Sequence, residues 1–338
     1  MKHYIVITGV AGLLGSRMAD WIIKNHPEYQ VIGIDNLQGG YIENVNKNVL
    51  FYKYDISATS LDNLFKRYST NDNKIDYVFH FAAYAAEGLS PFIRKFNWRN
   101  NALSTAEIIN SCIKYDVKRL VYTSSMSVYG SGNEGERFTE ELQPNPQDPY
   151  AISKYACEMD IQSASKTHNL DWCILRPHNV YGRNQNIWDR YRNVFGIWMY
   201  QKLNKKPLTI YGDGNQTRAF SYIDDCLEPM WNAAVRECAS KQIINIGGIE
   251  EHSINEAMDV MLNVIGKSEV VHLEERYEIK HAVPSFEKSI ELLDYKEHVD
   301  LYKGLKDMWK WARTQPKRKL QMWDSYEIEN GLYSYWKN

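Results

Sequence analysis

Tyr150 and Lys154 stand four positions apart in Tyr150-Ala151-Ile152-Ser153-Lys154, inside a stretch of helical pattern. Side chains at i and i+4 share a helix face, so the phenol and the ammonium can meet. A cation beside a phenol stabilises the phenolate and lowers the tyrosine pKa toward working pH, as general acid/base chemistry requires. Ser124-Ser125 ends a strand-like run earlier in the chain. A hydroxyl there can hold a substrate oxygen while Tyr150 takes or gives its proton. The bare Tyr/Lys spacing is common by chance and often only decorates a helix. It carries chemistry if the chain also holds an acceptor for what the alcohol loses.

The N-terminal segment supplies a place for one. Thr8-Gly9-Val10-Ala11-Gly12-Leu13-Leu14-Gly15 follows a strand-like run and opens a helical pattern. In that setting Gly9 permits the tight turn and Gly12 lets the backbone approach a pyrophosphate. Gly15 allows close helix–strand packing, and the helix start at Leu13 and Leu14 attracts the anion. The spacing is GxxGxxG rather than GxGxxG, and by itself it is no more than a turn. Asp35, in Gly33-Ile34-Asp35-Asn36, ends the next strand about 20 residues further on. Its carboxylate can accept hydrogen bonds from the adenosine ribose and repels a 2′-phosphate, so NAD is expected rather than NADP. Asp55-Ile56 is placed to meet the adenine, and Phe81-Ala82-Ala83 lets backbone come close to the cofactor. Asn101 is expected to reach it from a helix start, where a cap would be the plain alternative. Lys154 can then also hydrogen-bond the nicotinamide ribose, with hydride passing between substrate carbon and nicotinamide.

These residues need a scaffold that gathers strand ends. Strand patterns at 4–8, 30–34, 49–53, 77–81, 119–124 and 172–175 alternate with helical patterns at 13–25, 61–68, 102–115 and 150–169. Continuous apolar strands between amphipathic helices predict an α/β fold, a Rossmann-type doubly wound parallel sheet. Such sheets bind ligands outside the carboxyl ends of their strands, where every motif above falls. Beyond Arg176-Pro177 the pattern is irregular, with helices expected at 193–203, 224–237, 254–265 and 304–314 and strands at 208–211 and 242–246. The reading is an NAD-binding domain over 1–178, with about 219–247 packing back on it. A smaller α/β substrate-binding lobe takes 179–218 and 248–338.

Composition narrows the function class. The 338 residues exceed the roughly 100–200 of a typical domain and can bury a core without a metal or disulfide staple. A net charge of −2 argues against nucleic acid as the main partner. Five cysteines are scattered singly, which suits a reduced, cytoplasmic protein. The chain starts directly on a strand pattern with no signal-like leader, and no run approaches the roughly 18 apolar residues of a membrane span.

Together these segments resemble the extended short-chain dehydrogenase/reductase family, in its NAD-dependent epimerase/dehydratase branch, where UDP-glucose 4-epimerases are found. The resemblance runs from Thr8-Gly9 to Trp309-Lys310-Trp311. It implies a catalytic Ser–Tyr–Lys set. In Ser125-Met126-Ser127-Val128-Tyr129-Gly130 the family's serine, separated from Val-Tyr-Gly by two residues, is Ser125. It implies Thr123 and Pro177 as further cofactor contacts. Asn179, in Arg176-Pro177-His178-Asn179-Val180-Tyr181-Gly182, would contact the diphosphate of a nucleotide-activated sugar. Asn193-Val194 would contact the nucleotide from a helix start, and Arg218 would clamp its phosphates bidentately. Tyr84, Glu87 and Ser127 fall beside the sugar. Glu87 would touch sugar hydroxyls or add acid/base chemistry, unless it is a plain loop carboxylate.

The residues after Ser125 separate reactions within the family. Dehydratases carry an Asp-Glu pair there, decarboxylases a Glu and some epimerases a Cys at the second position; this chain has Met126 and Ser127. The reading is therefore a nucleotide-sugar 4-epimerase, UDP-sugars being the expected substrates, working through a 4-keto intermediate and pairing as a homodimer. Rivals are a dehydrogenase, reductase or dehydratase of the same family, and a non-catalytic NAD-sensing scaffold.

Overall fold

The computed structural model describes residues 1–132, 137–276 and 281–337. Strands β1 (Lys2–Thr8), β2 (Tyr29–Asp35), β3 (Leu50–Lys53), β4 (Asn73–His80), β5 (Arg119–Thr123), β7 (Trp172–Pro177) and β12 (Gln242–Ile246) form one seven-stranded parallel sheet. The spatial order is β12-β7-β5-β4-β1-β2-β3, so the direction of winding reverses between β1 and β4. A crevice opens there, outside the carboxyl ends of the strands.

Strand alternation builds both faces. Ile5 and Ile7 of β1 point into one cluster and Tyr4 and Val6 into the other. On the first face Met18, Ala19 and Ile22 of α1 (Leu13–Asn25) pack with Cys226, Leu227 and Met230 of α7 (Ile223–Val235). On the second face lie α2 (Asp62–Tyr68), α4 (Ser104–Lys114) and α5 (Pro149–His168). The helix expected at 102–115 begins further back: α3 (Arg94–Trp98) runs through a π turn at Arg99–Leu103 into α4. β4 ends at His80, so Phe81 already belongs to the loop.

The remaining strands are short: β6 (Arg137–Phe138), β8 (Val180–Tyr181), β9 (Leu208–Tyr211), β10 (Thr217–Ala219), β11 (Ser221–Tyr222), β13 (Glu251–Ser253), β14 (Val270–Leu273) and β15 (His281–Pro284). They form a four-stranded sheet β13-β10-β15-β6 and two pairs, β11-β8 and β14-β9. Around them α6 (Val194–Leu203), α8 (Ile254–Ile265) and α10 (Leu301–Ala312) enclose Trp198, Met258 and Met308. The parts interleave more than the expected division at 178. β6 pairs with β15, while Leu293 at the end of α9 (Glu287–Leu293) packs into the core of the large sheet.

After α10 the chain returns across the molecule. Gln321 N donates to Trp188 O at 2.6 Å, and the Glu327 carboxylate accepts from Lys95 N (2.8 Å) and Phe96 N (2.9 Å) at the start of α3. Trp336 is buried beside Phe92 and Tyr191, with ring centroids 5.9 and 5.0 Å away. Among the described residues no helix is long and apolar enough to cross a membrane, and no group of three or more His, Cys, Asp or Glu is arranged to hold a metal.

Candidate active site

A cavity of about 450 Å³ occupies the crevice above β1 and β4. Its floor is the turn that opens α1. Gly12 is the N-cap, no side chain caps the helix and no acid lies in its first turn. A Cβ on Gly12 would meet only Gly9 O at 3.3 Å, so its other side faces the cavity. Gly9 holds a φ of +70° with the backbone of Ala82 2.9 Å from where its Cβ would stand. Gly9, Gly12, Leu13, Leu14 and Gly15 all line the cavity and present an uncapped, positive helix end to it.

Asp35 lies at one end. Its Oδ2 accepts from Ala11 N at 3.0 Å and its Oδ1 from Leu37 N at 2.7 Å. Burial pushes its carboxyl up, and these two bonds pull it back. Asn36, Asp55 and Ile56 line the same end. Asp55 also closes its own turn, accepting from Ser57 N at 3.0 Å and Ser57 Oγ at 2.6 Å. Phe81, Ala82, Ala83, Thr123 and Pro177 line the middle and far end. Ala82 N donates to Thr8 Oγ1 (3.1 Å), which bonds His80 Nδ1 (2.7 Å). Burial, helped by Lys154, drives His80 down to about 3, so it stays a neutral imidazole.

Asn101 does not reach the cavity. The helix starts earlier than its sequence pattern suggests, and this turns Asn101 inward. There it is 1% exposed, accepts from Tyr84 N at 2.8 Å and donates to Asn97 Oδ1 at 2.8 Å. It braces the loop that carries Tyr84 instead of touching a cofactor.

At the far end Ser125, Tyr150 and Lys154 converge and all line the cavity. Asp148 caps α5 by accepting from Tyr150 N (2.8 Å) and Ala151 N (3.0 Å), with Pro149 in the first turn, which fixes where the phenol leaves the helix. The Tyr150 hydroxyl faces Ser125, whose hydroxyl favours the phenolate. Burial raises the Tyr150 phenol, Ser125 and Arg192 counter it, and Glu87 and Asp148 add to it. Lys154 Nζ donates to Thr123 O at 2.7 Å and lies 6.0 Å from the Tyr150 ring centroid. Burial pushes its ammonium down to about 8.

Ser127 does not line the cavity either. It is 1% exposed, and its N and Oγ donate to Ser125 Oγ at 3.2 and 2.9 Å. Two donors on one hydroxyl oxygen leave Ser125 Oγ its own proton to give, so Ser127 orients Ser125 rather than binding substrate. Ser124 turns the other way and donates to Glu158, which pairs with Arg176 at 3.0 and 2.6 Å. The guanidinium and carboxylate side chains are 2% and 0% exposed. Removing one member strands the other charge in the core, so Glu158→Ala is expected to cost about 3–5 kcal/mol of folding stability in denaturant melts. A loss under about 1 kcal/mol would show that water reaches Arg176.

The other side of the cavity is formed by Tyr84, Glu87, Asn179, Asn193, Val194 and Arg218. Asn193 caps α6 by accepting from Phe195 N at 3.0 Å, and its amide donates to Val180 O at 3.3 Å. Arg218 sits on β10 and donates to Thr217 O at 2.7 Å. Arg192 and Arg276 join this wall, though neither was singled out from the sequence. Glu87 raises the Tyr150 phenol through its negative charge. Glu87→Gln is therefore expected to let Tyr150 ionise at lower pH and shift the rising limb of kcat/KM toward acid. A profile that stays in place would mean Glu87 does not act on the phenol.

An uncapped helix end, a carboxylate anchored beyond it and a buried Tyr/Lys pair at the opposite end fit a dinucleotide lying across the strand ends. Thr123 Oγ1 is also buried with no partner among the described residues. Residues 5–247 match the sequence pattern described as the NAD dependent epimerase/dehydratase family. The chain belongs to that family. This epimerase/dehydratase family member is 28% identical to the UDP-glucuronate 4-epimerase of Thermodesulfobacterium geofontis over 92% of its own length and 96% of that protein. Its fold is similar to the UDP-glucose 4-epimerase of Thermotoga maritima, solved with UDP-glucose, at a TM-score of 0.84 and 29% identity, covering 92% and 98% of the two chains. It is likewise similar to the UDP-glucuronic acid 4-epimerase of Bacillus cereus, solved with UDP-glucuronic acid and NAD, at a TM-score of 0.83 and 30% identity, covering 92% and 99%. Within the family frame Met126 follows the serine with a thioether that has no proton to move.

Proposed function

We propose that the protein is an NAD-dependent nucleotide-sugar 4-epimerase acting on UDP-sugars. One observation carries the reading: Ser125, Tyr150 and Lys154 meet at the end of a cavity whose other end is built for a dinucleotide. Gly9, Gly12, Gly15 and Asp35 would hold NAD, which when bound supplies the hydride acceptor and donor. Tyr150 takes the proton of the C4 hydroxyl and returns it after the keto sugar has turned over. Ser125 holds the same oxygen, and Lys154 keeps positive charge beside the phenolate. Asn179, Asn193, Val194 and Arg218 would hold the nucleotide diphosphate during that rotation. Residues 1–178 would serve chiefly the cofactor, and 179–218 with 248–338 the sugar nucleotide.

Pairing as a homodimer is supported by Trp98, Leu103, Ile152 and Met159, large apolar residues exposed on the neighbouring run α3–α4 and on α5. A reduced, cytoplasmic setting is supported by five free cysteines, four of them buried. The decisive experiment incubates the protein with a panel of UDP- and GDP-sugars and follows C4 stereochemistry by NMR, with absorbance at 340 nm alongside. C4 inversion without net absorbance change is the expected result. Stoichiometric absorbance change would make it a net redox enzyme, and sugars left untouched would remove the epimerase reading.

A further inference from the structure

Arg192 is a cation in the cavity that the proposed chemistry leaves without a task. It stands just before α6 and lines the cavity. Its Nε donates to Asp189 Oδ2 at 2.9 Å, and its guanidinium lies 4.9 Å from the Tyr84 ring centroid. Asp189 is 4% exposed and also accepts from Tyr191 N at 2.9 Å, so the buttress is fixed. Among the described residues the two terminal nitrogens of Arg192 have no acceptor. A guanidinium held at Nε in a cavity wall, with no acceptor on its terminal nitrogens among the described residues, is suited to an anion with paired oxygens.

The position of the fork identifies the anion. A Cβ on Gly39 would stand 2.6 Å from Arg192 NH2. A Cβ on the next residue, Gly40, would stand 2.3 Å from the carbonyl of Ala11 and 2.7 Å from Gly12 N. These two glycines are thus a thin spacer between the guanidinium and the uncapped turn of α1. Arg192 also acts electrostatically on Asp35 at one end of the cavity and on Tyr150 at the other. A dinucleotide with its adenosine at Asp35 and its nicotinamide at Tyr150 has its diphosphate between them.

We propose that Arg192, held by Asp189, is a positioning residue that clamps the diphosphate of the bound dinucleotide from the substrate side. The inference rests on the dinucleotide reading given above. Arg192 is followed directly by Asn193 and Val194, which face the proposed sugar-nucleotide position, so one short segment serves both ligands. The sugar nucleotide, seated on Asn193 and Val194, then backs the residue that holds the cofactor diphosphate. This suits a reaction that must keep its dinucleotide in place between two half-reactions.

The test uses the whole chain as wild type, Arg192→Gln, Arg192→Lys and Asp189→Asn. NAD retained after gel filtration, NAD affinity by calorimetry and UDP affinity are measured separately. Arg192→Gln is expected to weaken NAD binding by about 10- to 100-fold while UDP affinity holds. Arg192→Lys should recover part of the loss, because the charge remains without the fork. Asp189→Asn, which only loosens the guanidinium, should weaken NAD binding less; it carries the test if Arg192→Gln does not fold. Full NAD retention in Arg192→Gln with a raised KM for a UDP-sugar would overturn the proposal and give Arg192 to the sugar. A wild type that binds no NAD would bring down the dinucleotide reading itself, and this inference with it.

Discussion

Replacing Tyr150 by Phe is expected to lower kcat on a UDP-sugar by about three orders of magnitude while NAD content and folding stay normal. General acid/base groups of this kind contribute about 10²–10⁴-fold. The size follows from the surroundings. Tyr150 is 7% exposed, so water cannot readily replace its hydroxyl as proton carrier. Ser125 already receives two hydrogen bonds from Ser127 and is fixed as a donor, which makes it a poor substitute base. The ring itself stays, with the Lys154 ammonium 6.0 Å from its centre, so the scaffold has no reason to collapse. Turnover within about tenfold of wild type would show that another group moves the proton, and Glu87 would be the first to examine.

Gly15→Ala should act on cofactor binding instead. A Cβ there would stand 2.2 Å from Gly9 O, 2.7 Å from Gly9 C and 2.8 Å from Val10 Cα. All three are backbone atoms of the turn itself, so no side chain can swing aside. α1 must move away from β1 or the turn must open, and either spoils the floor on which a diphosphate would rest. Overpacking of this kind costs about 1–3 kcal/mol; if that strain falls on the bound state, NAD affinity drops by about 5- to 150-fold, with a lower melting temperature. Gly88→Ala is the matched control. Its Cβ would meet Trp336 at 3.7 Å and Arg276 at 4.0 Å, ordinary contacts, and NAD affinity should not change. Equal behaviour of the two variants would mean the α1 turn does not bear on the cofactor.

The parts of the fold that were legible in the sequence are those specified locally. The helix at 254–265 was read to the residue, and Ser253 with Glu256 closes it in a reciprocal capping box. The helix at 13–25 was read as well, because a glycine turn precedes an amphipathic run. Strands buried on both faces announce themselves as unbroken apolar runs, hence the central sheet. By contrast β6, β8 and β11 have two residues each, too few to show alternation, and they exist only through partners distant in the chain.

The site divides in the same way. The glycines, Asp35 and the Ser/Tyr/Lys set are each common alone, and it is their joint placement at successive strand ends that made them legible. Asn101 was misplaced because a π turn advances the helix start, which neither composition nor periodicity reveals. Ser127 was misplaced because position beside Ser125 does not say which way a hydroxyl points. Glu158 reads as an ordinary helix-surface acid until Ser124 and Arg176 are seen to close around it. Arg192 is one of three arginines in a short segment with Arg183 and Arg190, and only the fold shows which of them meets Gly39.

The returning C-terminal segment bears on the order in which the molecule can be assembled. Gly88 and Tyr191 line the cavity; the Tyr191 ring packs on Trp336, and a Cβ on Gly88 would meet the same indole. Gly88 and Trp336 lie about 250 residues apart in the chain, an interval of roughly 10–50 seconds at ordinary rates of translation. The glycine turn, Asp35 and the first five strands are therefore out of the ribosome long before the sugar-side wall gains its brace.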